Sequence, residues 1–145
     1  MNNTIAEVQV SYKPTGQRQT QISCSQDAYK VFKDIWNEHI SYKESMYILL
    51  LNRANRVLGY HLLSQGGTTG TVVDMKVLLQ LLVKSNAHSF ILAHNHPSGN
   101  TLPSAEDQRL TKKVKEASKL LDIQLLDHLI LSADSCLSMA DEGMM

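Results

Sequence analysis

Apolar residues recur along this chain in two periods, one near two residues and one near three and a half, and the switches between them divide it into strands and helices. Glu7-Val8-Gln9-Val10-Ser11-Tyr12 alternates as a half-buried strand does, until Pro14-Thr15-Gly16 breaks it. Ala28, Phe32, Ile35, Trp36 and Ile40 then fall on one helical stripe, with Ser25 placed to cap the helix and Trp36 to anchor its core face. The unbroken run Met46 to Leu51 predicts a buried strand, and Val57 to Leu63, across Asn52-Arg53-Ala54-Asn55, predicts its hairpin partner. Asp74 can cap a helix with Leu78, Leu81 and Leu82 on its apolar face. Phe90-Ile91-Leu92-Ala93 predicts a second buried strand, beginning near His88. Ser104 opens another helix, with Leu110, Val114, Ala117 and Leu121 spaced for one face, and Ile123 to Leu126, Leu129 to Leu131 and Cys136 to Met139 predict two or three further strand segments. This order implies an α/β (α+β mixed) architecture, a mixed sheet with helices packed on it, in a single domain over 1–145. There is no internal repeat or low-complexity tract.

The chemistry gathers where the second buried strand ends. In His94-Asn95-His96-Pro97-Ser98-Gly99 the histidines are two residues apart, so an extended chain presents both imidazoles on one face. Pro97 ends ladder pairing, and Ser98-Gly99-Asn100 with Pro103 supplies the turn that carries the chain out and back. Asp107 falls in the first turn of the helix that Ser104 opens, where Ser104-Ala105-Glu106-Asp107 also has the form of a capping box. Two neutral imidazoles and one carboxylate would leave Zn²⁺ with a net positive charge and one open position, as catalytic sites do and closed structural sites do not. Such a metal lowers the pKa of water from ~15.7 toward ~7. The pattern predicts a zinc hydrolase site.

His94-x-His96, seven residues, then Ser104-x-x-Asp107 resembles the JAMM motif of MPN-domain metalloproteases. His94 to Gly99 with Pro103-Ser104 resembles its RadC branch, and the likeness runs from about Glu44 through Asp127-His128. The resemblance implies an MPN/JAB-like fold and a zinc-dependent metallopeptidase or isopeptidase-like hydrolase acting on a peptide or protein substrate. It implies His94, His96 and Asp107 as metal ligands, Glu44 as general base and Ser104 as the hydroxyl that assists the oxyanion. On the residues alone, Glu44 is a carboxylate at a strand end, where solvation is the ordinary fate. Asp127-His128 is the other notable pair, because zinc-bound imidazoles normally donate their distal N–H to a partner. Without that role His128 reads as a strand-end residue with a satisfied hydrogen bond. RadC relatives commonly carry an amino-terminal helical region for which 145 residues leave no room, so DNA association tied to it is not expected here.

Composition narrows the alternatives. The 43% hydrophobic content, without an apolar run long enough to span a bilayer or a signal-peptide pattern, predicts a globular cytoplasmic protein with no membrane partner. Fourteen basic side chains balance fourteen acidic ones, so no global attraction to phosphate backbones is predicted, and Arg109, Lys112, Lys113, Lys115 and Lys119 read as a solvated helix face. Cys24 and Cys136 are too few for a disulfide framework or a metal knuckle. The Gly66-Gly67-Thr68-Thr69-Gly70 segment lacks the spacing and lysine of a phosphate-binding loop, and the His-x-Glu and Pro-Cys-x-x-Cys elements of a zinc nucleobase deaminase are missing. Two other functions compete with the hydrolase: a DNA-repair or mobile-element accessory protein, and a metal-stabilised interaction module without turnover.

Overall fold

In the computed structural model, which describes residues 5–9, 11–13, 19–66 and 72–145, the long apolar runs form the middle of one sheet. Its strands are β1 (Ser45–Leu51), β2 (Val57–Gln65), β3 (Ser89–Asn95), β4 (Gln124–Leu131) and β5 (Cys136–Ser138), in the order β2-β1-β3-β4-β5. β3 runs parallel to β4, and the other neighbours are antiparallel. The β1–β2 hairpin closes because Asn52 Oδ1 accepts from the Ala54 and Arg56 N–H groups and Asn55 takes a left-handed φ of 57°. Every residue of β3 is buried, as a central strand covered on both faces requires.

Helix α1 (Ser25–Trp36) covers one face and helices α2 (Met75–Lys84) and α3 (Ala105–Lys119) cover the other. The two-residue strand period sorts the core accordingly. Leu49, Leu51, Ile91 and Ala93 meet Phe32 and Trp36, whereas Ile48, Leu50, Phe90 and Leu92 meet Leu78, Leu82 and Val114. Trp36 is the core anchor expected of it, packed edge-to-face on Tyr47 at 4.7 Å. Asp74 caps α2 by accepting from the Lys76 and Val77 N–H groups. Among the described residues no helix is long and apolar enough to cross a membrane.

Several expectations need correction. Among the described residues of 7–12 no strand forms: Glu7, Val8, Gln9, Ser11 and Tyr12 are exposed, Val8 at 84%, and Val10 lies outside the described residues. The start of β2 pairs instead with Thr20 to Ile22. Cys24, not Ser25, stands at the N-cap of α1 and gives no side-chain cap, while Ser25 donates to Asp141 at 2.5 Å. The α1 stripe ends at Trp36, and Ile40 belongs to a 3-10 turn over Asn37–Ser41. On α3 the fully buried positions are Thr111, Val114 and Ser118, with Leu110 and Ala117 half-buried and Leu121 exposed beyond the helix end. The segments 123–126 and 129–131 form one strand, β4, the simpler of the two arrangements expected, and β5 ends at Ser138. The expected glycine loop lies, apart from Gly66, outside the described residues, as do Pro14, Thr15 and Gly16.

One buried side chain links this frame to the site. Asn95 points to the α1 side of β3, where Oδ1 accepts from the Ser45 N–H at 2.8 Å and Nδ2 donates to the carbonyls of Ile40 at 2.7 Å and Lys43 at 2.8 Å. It thereby clamps the segment that leads into β1. Asn95→Asp keeps the shape but sets an acceptor against two carbonyl oxygens. Urea unfolding is expected to show a loss of roughly 3 kcal/mol or more, since each unmatched buried polar group costs about 1–3 kcal/mol. A midpoint equal to wild type would remove the clamp.

Candidate metal centre

The site starts from how β3 ends. The His96 N–H donates to the Leu131 carbonyl at 2.8 Å, and Pro97, with no N–H, cannot continue the ladder. Gly99, at a φ of +88°, turns the chain so that the Asn100 carbonyl accepts from His96 Nδ1 at 2.6 Å. A carbonyl only accepts, so Nδ1 carries the proton of a neutral His96 and its Nε2 keeps the lone pair. Nε2 of His94, which is fully buried, lies 2.9 Å from that atom.

Asp107 arrives from α3. Ser104 Oγ accepts from the Asp107 N–H at 3.0 Å and Asp107 Oδ2 accepts from the Ser104 N–H at 2.8 Å, so the capping box is complete. This fixes the carboxylate in the first turn, where the helix dipole favours an anion. Its Oδ1 lies 3.3 Å from His94 Nε2 and its Oδ2 3.4 Å from His96 Nε2. Four ligands around zinc at bonds of ~2.0–2.1 Å stand about 3.3–3.4 Å apart along the tetrahedral edges, a spacing that the two Asp107 contacts match and that the 2.9 Å between the ring nitrogens falls short of. Partial burial opposes the Asp107 charge, but the two imidazoles beside it and the Ser104 N–H outweigh it and hold the carboxyl far below the usual carboxylate range. The Asp107 carboxylate beside it correspondingly raises the His96 pKa.

Glu44 sits just before β1, half-buried, in the segment that Asn95 clamps, and its carbonyl accepts from the Gly66 N–H at 2.8 Å. A carboxylate oxygen of Glu44 and ring nitrogens of His94 and His96 all lie within 4.8 Å of one another. Glu44 and Asp107 thus approach the same pair of imidazoles, Asp107 more closely. Ser104 is exposed, and its cap uses only the oxygen lone pair, leaving the hydroxyl proton for another acceptor. The structure therefore brings Glu44, His94, His96, Ser104 and Asp107 to one end of the sheet.

Asp127 and His128 part company. His128 lies within β4, not at its end, is fully buried, and places Nε2 2.7 Å from His94 Nδ1. Burial, reinforced by the nearby His94, drives its pKa well below the ordinary histidine value. Asp127 has no such contact: it accepts from the His128 and Ala140 N–H groups and the Ser138 hydroxyl. Two contributors escaped the sequence analysis. Asn95, between the two histidines, and Thr111, which contacts His128 Nδ1 at 2.6 Å, carry no local signal of these contacts.

A family profile described as RadC-like JAB domain matches residues 22–144. The chain belongs to this family. The matched span is wider than the 44–128 core that the motifs suggested. The chain is 40% identical over 122 residues to a UPF0758 protein of Flavobacterium johnsoniae, covering 84% of this chain and 52% of the relative. A UPF0758 protein of Aquifex aeolicus is 36% identical over 130 residues, covering 90% and 55%. One of Porphyromonas gingivalis is 41% identical over 104 residues, covering 71% and 46%. The chain spans about half the length of the curated relatives it matches. The five-stranded mixed sheet with three α-helices agrees with a JAB/MPN fold, and His94, His96 and Glu44 offer this RadC-like JAB domain a possible metal site.

Zinc at a hundredfold excess over its Kd is expected to stabilise the RadC-like domain by about 2.7 kcal/mol, reversibly with a chelator. His96→Ala, a change at a partly exposed position, is expected to abolish the increment. Thermal unfolding with and without zinc decides it, and an unchanged Tm in the wild type removes the metal site.

Proposed function

We propose that this RadC-like JAB domain is a zinc-dependent hydrolase of the JAMM type, a metallopeptidase or isopeptidase-like enzyme that cleaves an amide bond in a peptide or protein substrate. The observation that supports this most directly is the convergence of two imidazole Nε2 atoms and the Asp107 carboxylate, with Glu44 beside them. His94, His96 and Asp107 would hold the metal, three protein ligands leaving a position open as in catalytic rather than structural sites. Zinc, when bound, polarises the substrate carbonyl and makes water acidic enough to lose a proton near pH 7. Glu44 takes that proton as the water oxygen bonds to the carbonyl carbon, then returns it to the nitrogen as the C–N bond breaks. Ser104 donates its hydroxyl proton to the oxygen on which negative charge develops. His96 stays oriented by the Asn100 carbonyl throughout.

Glu44→Gln is expected to retain the wild-type zinc content while cleavage of a mixed peptide library falls by about 10²–10⁴-fold, the usual range for loss of a general base. Retained cleavage would exclude Glu44 as the base. A wild type that gains stability from zinc and cuts nothing would leave a metal-stabilised interaction module as the better account. Ser104→Gly separates the two uses of that hydroxyl, because glycine at an N-cap costs only a few tenths of a kcal/mol. Cleavage is nonetheless expected to fall about 10²–10³-fold, as for loss of one oxyanion donor. Equal turnover by this variant and the wild type would confine Ser104 to capping.

A further inference from the structure

His94, His128 and Thr111, drawn from β3, β4 and α3, form an unbroken line of polar contacts inside the protein. His94 Nδ1 lies 2.7 Å from His128 Nε2, His128 Nδ1 2.6 Å from Thr111 Oγ1, and Thr111 Oγ1 2.7 Å from the Asp107 carbonyl oxygen. The two rings are fully buried and Thr111 is 3% exposed. For neutral rings the last member sets the direction of the protons along this line, opposing the pull of the Asp107 carboxylate on a proton at His94 Nε2. A carbonyl oxygen has none to give, so the Thr111 hydroxyl proton lies on the Asp107 contact. Thr111 then offers His128 only a lone pair, and the proton between them belongs to His128 Nδ1. A neutral imidazole has one N–H, so His128 Nε2 accepts and His94 donates from Nδ1. The one lone pair left on a neutral His94 is at Nε2, the atom that faces His96 Nε2 and Asp107.

We propose that Thr111 and His128 are positioning residues that lock His94 in the Nδ1–H tautomer and so reserve Nε2 for a metal ion, a role that rests on the metal-binding reading above. The line begins on one expected ligand, His94, and ends on the backbone of another, Asp107. It therefore also ties β3 to the first turn of α3 through β4. A β-bulge makes this possible. In the β3–β4 pairing Phe90 stands opposite Leu125 and Ile91 opposite Asp127, so Leu126 is an extra residue. Leu125 packs with the α2–α3 side and Leu126 with the α1 side, after which His128 returns to the face of His94 while Asp127 turns away.

Nitrogen-15 NMR of the metal-free protein reads ring tautomers directly. His94 and His128 are each expected to carry the proton at Nδ1. Thr111→Val removes the acceptor with little change of shape, and is expected to shift both rings toward the Nε2–H form and to weaken Co²⁺ binding about 10–100-fold, the usual cost of losing support behind a metal ligand. Thr111→Ser is expected to restore both readouts, which a purely structural role would not link. If Thr111→Val does not fold, His128→Gln carries the test: its amide oxygen accepts from His94 Nδ1, so it keeps the Co²⁺ affinity that His128→Leu loses. The proposal is overturned by a wild-type His94 protonated at Nε2, by wild-type tautomers and affinity in Thr111→Val, or by equal affinities of the Gln and Leu variants. A wild type that takes up no Co²⁺ overturns the metal reading itself, an outcome distinct from variants that bind as well as wild type.

Discussion

The Asp107 carboxylate is the interaction on which the site most depends, because it serves backbone and side chains at once. It accepts from the Ser104 N–H as the closing half of a capping box, and it meets both imidazoles that β3 delivers. An anion in the first turn of a helix is favoured by the orphan N–H groups and the dipole before any partner arrives. Asp107 is therefore placed by the start of α3 itself and not by a flexible loop. Two rigid elements, a central strand and a capped helix, hold the donors close together, the kind of support that keeps a site preorganised.

What was legible in the sequence is what depends on local period or local capping. His94 and His96 share a face because a strand repeats every two residues, and Asp107 could be placed because a capping box is a four-residue device. Glu44 was legible only through family resemblance, since a carboxylate before a strand has no pattern of its own. Asn95, Thr111 and His128 act through partners 17 to 55 residues away, and a single sequence does not display such pairings. The same nonlocality explains the misjudged face of α3. Thr111 and Ser118 are buried there, Thr111 because its hydroxyl finds partners on α3 and β4, while an apolar Leu121 falls beyond the helix end. The alternation over 7–12 has a strand's period, but a strand also needs a paired neighbour, and it is Thr20 to Ile22 that pair with the start of β2.

The two sides of β3 divide the labour of the site. Its α3 side carries the imidazoles, and its α1 side carries Asn95, which ties down the backbone leading to Glu44. Neighbouring residues of one strand thus hold the donors and the expected base in a common frame. A change that rotated β3 by one residue would exchange these roles and lose both.

The extra residue in β4 has a consequence for how insertions and deletions act on this fold. Were Leu126 kept and paired opposite Ile91 in an unbroken ladder, Asp127, not His128, would turn toward His94, setting an anion where a neutral ring now stands. A carboxylate there would draw the His94 proton toward itself and make that ring a more electron-rich donor, as in metalloenzymes whose histidines lean on an acid. The length of one strand, counted in single residues, is thus a dial on the electronic character of an atom on the next strand.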